Sequence, residues 1–318
     1  MGGKENSKKS VYLSVVIPLF DEADSLKELH SQLETVLGSL PFTSEVIFVD
    51  DGSTDASMQV LTELYESDKR VRVFQFRKNY GKSAALAKGF AEAFGEIIIT
   101  MDADLQDDPA EITELVSRIE EGNDLVSGWK KNRYDPFFKR HTSKIYNSVT
   151  CKMTGVKLHD INCGLKAYRR EVTDSLNVYG QLHRYLPVLA QWEGFKVDEM
   201  VVRHHPRKYG KSKFGLSRFM AGFFDLITVL FITRYTKRPL HLFGSVGLLT
   251  FSSGFLINVW LAYERIFNQQ YLSKKPLLFL GILLIIVGVQ FFSVGLLGEM
   301  ITANRQNKID YAIKKTLP

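Results

Sequence analysis

The chain has 318 residues, 45% of them hydrophobic and 24% charged, with a formal net charge of +6 at pH 7. That length admits two average domains, or one larger domain with an appendage, and the positive balance points to an anionic partner: nucleotide, lipid phosphate, membrane surface or nucleic acid. Two cysteines without metal-ligand spacing, Cys151 and Cys163, argue against a disulfide framework or a zinc site and for a reducing compartment.

The first ten residues are polar, carry Lys4, Glu5, Lys8 and Lys9, and lead into no long apolar run, so a disordered N-terminus without a signal peptide is expected. Tyr12 to Pro18 reads as the first strand. Asp24 to Leu37 reads as a helix capped by Asp24 or Ser25 and closed by Gly38. Glu45 to Asp50 is a second strand. Ala56 to Glu66 is a helix with Ser53, Thr54 or Asp55 as cap, and Val71 to Phe76 a third strand. Ser83 to Phe94 is an Ala-rich helix, Glu96 to Met101 the fourth strand, Pro109 to Glu121 a helix opened by proline, and Leu125 to Gly128 a fifth strand. Alternating strands and helices predict an α/β fold, a mostly parallel sheet with helices on both faces. Past Gly128 the pattern is less regular.

Each early strand runs into polar residues: Asp21-Glu22, Asp50 to Asp55, Arg77 to Lys82, and Asp102-Ala103-Asp104. In an open α/β sheet, ligands bind beyond the carboxyl ends of the strands. The run Ile97-Ile98-Ile99-Thr100-Met101 delivers two carboxylates to that edge. Carboxylates there are costly without a cation, and a divalent metal carrying a diphosphate suits them. Lys78 and Lys82 suit phosphate, and Asp51 suits the N–H of a base edge. Asp-Gly-Ser-Thr-Asp is also a good turn with a helix cap. Neither a G-x-G-x-x-G fingerprint nor a P-loop is present, which disfavours dinucleotide binding of the Rossmann type.

Leu240 to Tyr263 and Pro276 to Gly298 contain no Asp, Glu, Lys or Arg. Each is long enough for a helix to cross roughly 30 Å of hydrocarbon. Arg234, Lys237 and Arg238 precede the first run, and Arg305, Lys308, Lys314 and Lys315 follow the second. This bias predicts an integral membrane protein with two spans, both termini and the catalytic part being cytoplasmic. Phe219 to Thr233 contains Asp225, is flanked by Arg218 and Arg234, and reads as an amphipathic interfacial helix. The expected division is 1–10, a soluble domain over 11–213, the interfacial region 214–235, the hairpin 236–303 and a tail 304–318. Gly244, Gly247, Gly254, Gly281, Gly288, Gly295 and Gly298 fit close pairing of the two spans or a homo-oligomer.

Val15-Val16-Ile17-Pro18, Val49 to Asp55 and Met101 to Pro109 together resemble glycosyltransferase family 2, with its GT-A fold. The Asp-Ala-Asp-Leu-Gln form followed by a two-span tail resembles the polyisoprenyl-phosphate glycosyltransferases within it, dolichol-phosphate mannose synthases and bacterial bactoprenol glucosyl transferases. The resemblance implies that Pro18, Glu22 and Asp51 line the nucleoside pocket with Lys82 near it. It makes Asp104 the ligand of Mg²⁺ or Mn²⁺, Asp102 a contact of the ribose or of the metal shell, and Gln106 a helper at the metal. Arg133 and Arg140 match arginines set against the lipid phosphate, where bidentate pairing suits them. Asp160, in Asp160-Ile161-Asn162-Cys163-Gly164, would contact a sugar hydroxyl or anchor its loop, and Cys163 would be a packed thiol. Gln181 to Tyr185 is close to the Gln-x-x-Arg-Trp of processive synthases, with Arg184 a candidate phosphate contact. The resemblance matches Arg207, Lys211, Ser212 and Lys213 to a basic loop that closes over the diphosphate; attraction to anionic lipid at the membrane surface is the other reading, and both can hold. His204-His205 lacks metal-ligand spacing.

The expected reaction is inverting transfer of a sugar from a nucleotide sugar, UDP-glucose favoured, to a polyprenyl phosphate such as undecaprenyl phosphate in the bacterial inner membrane. A phosphate monoester has its second pKa near ~6 and is already an anionic nucleophile. Such an acceptor needs no side-chain base, which accords with the missing Glu-Asp base signature, Trp192-Glu193-Gly194 standing in that region; Asp160 is the first suspect if one exists. Competing readings are GDP-mannose-dependent synthesis of a lipid-phosphate mannose, a processive polysaccharide synthase, and a membrane-anchored accessory protein without catalysis. Nucleic acid is not an expected partner, because no basic-aromatic module is present.

Overall fold

A computed structural model describes residues 11–131, 147–209, 239–269 and 275–305, with residues 228, 229, 231 and 235. The chain forms two compact units, 1–226 and 227–318. The expected interfacial helix over 214–235 lies almost wholly outside the described residues.

The first unit is built on seven strands: β1 (Leu13–Leu19), β2 (Ser44–Asp50), β3 (Val71–Gln75), β4 (Ile97–Thr100), β5 (Leu125–Trp129), β6 (Lys166–Arg169) and β7 (Val197–Val201). They form one sheet in the order β3-β2-β1-β4-β6-β5-β7. β1 pairs in parallel with β2 and β4, β2 with β3, and β5 with β7. β6 runs antiparallel between β4 and β5. β1 is buried along its whole length because it lies inside the sheet with both faces covered. Val15 and Ile17 face one apolar layer with Leu26, Leu29 and Leu33 of α1 (Ala23–Ser39), Leu61 of α2 (Ser57–Ser67) and Leu115 of α4 (Ile112–Glu120). Val16 faces the other, with Leu86 and Phe90 of α3 (Lys82–Glu92), Val172 of α5 (Arg170–Ser175) and Leu186 of α6 (Leu186–Trp192). The strand alternation of period two therefore feeds two helical layers at once.

Three local expectations are corrected. α1 runs through Gly38 to Ser39, with Leu40 as C-cap in extended backbone, so Gly38 does not close it. Glu22 is its N-cap, and the Ser25 hydroxyl donates back to the Glu22 carbonyl instead of capping. Pro109 opens a 3-10 turn (Pro109–Glu111) capped by Asp108, and α4 begins only after it. β6 and β7 belong to the irregular stretch past Gly128, where sequence periodicity was too weak to place them.

The second unit contains α7 (Pro239–Phe267) and α8 (Pro276–Arg305). Both are long and apolar enough to cross a membrane, with mean hydropathy 1.6 and 2.7 over their candidate spans. They pack along glycines seven residues apart. A Cβ on Gly247 would stand 2.7 Å from the Gly288 carbonyl oxygen, and one on Gly254 would stand 2.5 Å from that of Gly281. Such approach permits only hydrogen at these positions. These glycines therefore serve pairing of the two helices within the chain. The Leu240 amide donates to Glu299 Oε2 at 3.3 Å, so a carboxylate from the end of α8 caps the start of α7.

Candidate active site

The carboxyl ends of β1, β2 and β4 carry the polar loops to one edge, as parallel pairing requires. Side chains lock the first two loops together. The Asp21 amide donates to Ser53 Oγ at 2.9 Å, the Thr54 amide to Asp21 Oδ1 at 2.8 Å, and the Glu22 amide to Ser57 Oγ at 3.1 Å. Asp50 accepts from the Ser53 amide and hydroxyl and from Gln75. Among the described residues only Asp21, Leu105 and Gln269 are non-glycine residues with positive φ. Two of the three stand in these loops, and a leucine at φ 59° directly after Asp104 is strained backbone of the kind that collects at functional sites.

Asp51 is buried, and its oxygens accept from the Tyr80 amide at 2.7 Å and the Gly81 amide at 2.8 Å. It anchors the loop that presents Lys78 and Lys82. Burial pushes its carboxyl above the usual range against those two bonds.

Asp102 and Asp104 each carry a cationic partner. Lys82 Nζ donates to Asp102 Oδ1. Burial pushes the Asp102 carboxyl up, but Lys82, with Lys130 and Lys166, outweighs burial and holds it at about 2. Burial and the neighbouring Asp102 charge push Asp104 up, opposed by Arg207, whose Nη2 lies 2.5 Å from Asp104 Oδ2. Arg207 also lies 3.7 Å from Glu22. The stretch 203–209 is laid onto the Asp102–Asp108 turn by a bridge between Asp107 and His204 and by the His205 amide donating to the Gln106 carbonyl at 2.9 Å. His205 reaches Asp108 at 3.2 Å and Lys208 reaches Glu28 at 2.7 Å. Beneath, Lys130 Nζ lies 2.6 Å from Asp107 Oδ1. Burial pulls the Lys130 ammonium down, and Asp107 more than offsets it. The Asp102 amide in turn donates to Asp107 Oδ2 at 3.3 Å.

The expected site residues thus separate into groups. Pro18, Lys82 and Asp102 line one small enclosed pocket, and Glu22, Asp104 and Arg207 meet beside it. Gln106 reaches the group through its backbone, its amide donating to Asp104 Oδ1 at 3.2 Å. Asp160 is 1% exposed, with its Oδ1 3.5 Å from Asn147 Nδ2 and its carbonyl accepting from Ser127, which is loop anchoring. Cys163 is the packed thiol expected of it, and burial pushes it up to about 12. Arg133, Arg140, Lys211, Ser212 and Lys213 lie outside the described residues.

Gly164 sets the seat of Asp102. A Cβ there would come 2.6 Å from Asp102 Oδ2 and 2.7 Å from its Cγ. The contact is with the end of a side chain, so Gly164→Ala is expected to leave the fold intact while turning Asp102 off Lys82. Displacements of this size cost about a hundredfold in rate. Circular dichroism alongside a transfer assay would separate the two effects.

Lys166 and His183 line the same pocket and were not legible as site residues. Lys166 is 3% exposed and its Nζ donates to the Cys163 carbonyl. Nothing local marks it, because the charge it faces, Asp102, comes from another element. His183 Nδ1 lies 2.9 Å from Ser83 Oγ. Burial, then Lys82 and Arg184, hold its pKa well below the ordinary value, with Asp102 opposing and Lys166 adding to the depression. The unfolded chain takes up a proton at His183 near pH ~6.5, and the folded chain refuses it until much lower pH. This stability is present above pH ~6.5 and is lost as pH falls toward the folded-state value, by at most about 1.4 kcal/mol per pH unit. His183→Gln should flatten the loss of thermal stability between pH 7 and 5 relative to the parent protein, measured by thermal unfolding in detergent.

The described residues gather no cluster of three His, Cys, Asp or Glu side chains suited to a metal. The pair Asp102 and Asp104 nonetheless fits a hard divalent ion of the kind held by one or two carboxylates plus substrate phosphates. Asp104 is buried beside a second carboxylate and already draws a guanidinium.

These carboxylates and cations stand at the carboxyl edge of an α/β sheet, where ligands bind in such folds. Residues 14–176 match the family model for glycosyl transferase family 2, and the chain belongs to that family. Two curated relatives narrow the resemblance. Dodecaprenyl-phosphate galacturonate synthase of Rhizobium johnstonii is 37% identical over 94% of this chain and 90% of its own length. Undecaprenyl-phosphate 4-deoxy-4-formamido-L-arabinose transferase of Klebsiella pneumoniae is 36% identical over 91% and 88%. Among solved structures, glucosyl-3-phosphoglycerate synthase from Mycobacterium tuberculosis, in complex with Mn²⁺, UDP and phosphoglyceric acid, aligns over 70% of this chain and 78% of its own. The TM-score is 0.55 at 18% identity. That likeness concerns the fold alone.

Proposed function

We propose that this protein transfers a sugar from a nucleotide sugar to a membrane polyprenyl phosphate, releasing a nucleoside diphosphate. The carrying observation is the Asp102–Asp104 pair at the end of β4, flanked by Lys82 and Arg207, in a family 2 chain with two span-length apolar helices. Both curated relatives are named for a polyprenyl phosphate acceptor. UDP-glucose and undecaprenyl phosphate are the substrates favoured by the resemblance to the bacterial branch; the motifs themselves do not choose the sugar. The relatives' names add galacturonate and formamido-arabinose donors to the set to be tried, beside GDP-mannose.

In this reading an oxygen of the lipid phosphate attacks the anomeric carbon from the face opposite the diphosphate. The bond from that carbon to the diphosphate oxygen breaks, its electron pair leaves with the diphosphate, and the configuration inverts. No side-chain base is needed, since the attacking phosphate is ionised at neutral pH. Buried Asp160 is better suited to anchoring its loop. Asp104 and Asp102, with Gln106 beside them, would hold Mg²⁺ or Mn²⁺, which when bound supplies charge to steady the leaving diphosphate. Arg207 would pass from Asp104 to the diphosphate, joined by Lys82, Lys211, Ser212 and Lys213. Pro18 and Glu22 would border the nucleoside, with Asp51 holding the loop around it. Arg133 and Arg140 would orient the acceptor phosphate. The basic residues at both ends of the helical hairpin favour a cytoplasmic catalytic unit on a bacterial inner membrane.

The test is a donor panel on purified protein in detergent with undecaprenyl phosphate and Mg²⁺ or Mn²⁺. Lipid product is read by mass spectrometry. One donor giving a lipid-phosphate sugar supports the proposal, and no lipid product from any donor favours the accessory reading.

A further inference from the structure

The enclosed pocket beneath Asp102 has an uncommitted polar edge. Its charged members are engaged: Lys82 with Asp102, and Lys166 with the Cys163 carbonyl. Besides the exposed Asn162, two polar side chains that line it keep an open position. The Tyr168 side chain is wholly buried and its hydroxyl forms no hydrogen bond of good geometry; the adjacent Thr100 hydroxyl donates to the Gly164 carbonyl at 2.8 Å. His183 is the other. Ser83 Oγ accepts from the His183 amide at 3.2 Å and lies 2.9 Å from His183 Nδ1. Among the described residues Ser83 has no other side-chain hydrogen bond, so its hydroxyl proton belongs on Nδ1. Desolvation, with the charges of Lys82, Arg184 and Lys166, favours the neutral form of this partly exposed imidazole. With Nδ1 accepting, its single proton sits on Nε2, on the far edge of the ring.

We infer that His183 is a specificity-determining residue whose Nε2–H donates to a hydroxyl of the donor pyranose, with the Tyr168 hydroxyl as a second contact. The inference rests on the sugar-transfer reading and names the part of that site that reads the sugar. The placement follows from chemistry. The anomeric carbon is bonded to the diphosphate that Asp102 and Asp104 serve, so the sugar ring lies within one ring diameter of Asp102, which lines this pocket. A neutral N–H donor and a phenol hydroxyl suit a sugar hydroxyl, which can both accept and donate.

The measurement is calorimetric binding to the full chain in detergent with Mn²⁺. UDP is compared with UDP-glucose, and GDP with GDP-mannose, for the parent protein, His183→Phe and His183→Gln. For the nucleotide that binds, His183→Phe should weaken the nucleotide sugar by about three- to tenfold, the worth of one neutral hydrogen bond. It should leave the nucleoside diphosphate unchanged, which also shows the variant folded. His183→Gln, which retains an N–H donor, should recover most of the loss. Equal weakening of both ligands would mark a structural role and overturn the inference. Unchanged affinity for the sugar form, or no binding of either pair, would overturn it too. Failure of lipid labelling with this binding difference intact would instead count against the acceptor reading alone.

Discussion

Asp104→Ala lowers sugar transfer by about a hundred- to a thousandfold, the cost of removing one preorganised electrostatic group from a transferase transition state. The reason lies in how Asp104 is held. It is 8% exposed, stands beside Asp102, and burial together with that neighbour raises its pKa. A carboxylate kept at such cost is stabilised only by cations, and in this structure Arg207 serves at 2.5 Å. Removing Asp104 removes the partner that both Arg207 and a divalent ion would use. The fold should survive, because Asp104 is on a loop and the β4 strand before it, three isoleucines and Thr100, is fully buried. Transfer rate together with Mn²⁺ affinity, read by electron paramagnetic resonance, checks this, with both falling together. A variant that keeps full Mn²⁺ affinity would place the metal elsewhere.

Lys130→Met destabilises the first unit by about 3–5 kcal/mol, the usual cost of leaving a buried charge without its partner. Asp107 has no exposed side-chain surface, and Lys130 Nζ lies 2.6 Å from it. The damage should also reach the site, because Asp107 Oδ2 accepts from the Asp102 amide. Replacing both partners with apolar residues of similar volume should restore much of the stability, since a buried pair gains little over good packing. It should not restore activity. Denaturant unfolding of the single and double variants reads the first effect, and transfer rate reads the second.

The sequence was informative where chemistry is local. Strands β1 to β4 could be read to within a residue or two, because unbroken apolar runs such as Ile97-Ile98-Ile99 have few alternatives once Gly and Asp punctuate them. The Asp-x-Asp pair and the loops after β1 and β2 were placed at one edge by the parallel rule alone. Contacts between distant segments were not legible. Nothing near Arg207 says that it reaches Asp104, 103 residues away. Asp51 looked available to a base edge, yet its oxygens accept backbone amides from the loop after β3, which only folding brings there. Lys166 carries no local mark, and within Gln181 to Tyr185 the motif points to Arg184 and not to His183, whose place in the pocket only folding shows. Gly38 misled as a helix stop, since tertiary packing of Leu33 and Leu37 carries α1 past it.

In the proposed reaction a sugar moves onto a lipid phosphate with loss of a nucleoside diphosphate. The most direct test follows both products at once, using a donor labelled in the sugar and detergent-solubilised full-length protein with undecaprenyl phosphate and Mn²⁺. One nucleoside diphosphate should be released for each labelled sugar that enters the organic phase, with both lost on chelation and in Asp104→Ala. Release of a nucleoside monophosphate, or diphosphate release with the label left in water as free sugar, would contradict it.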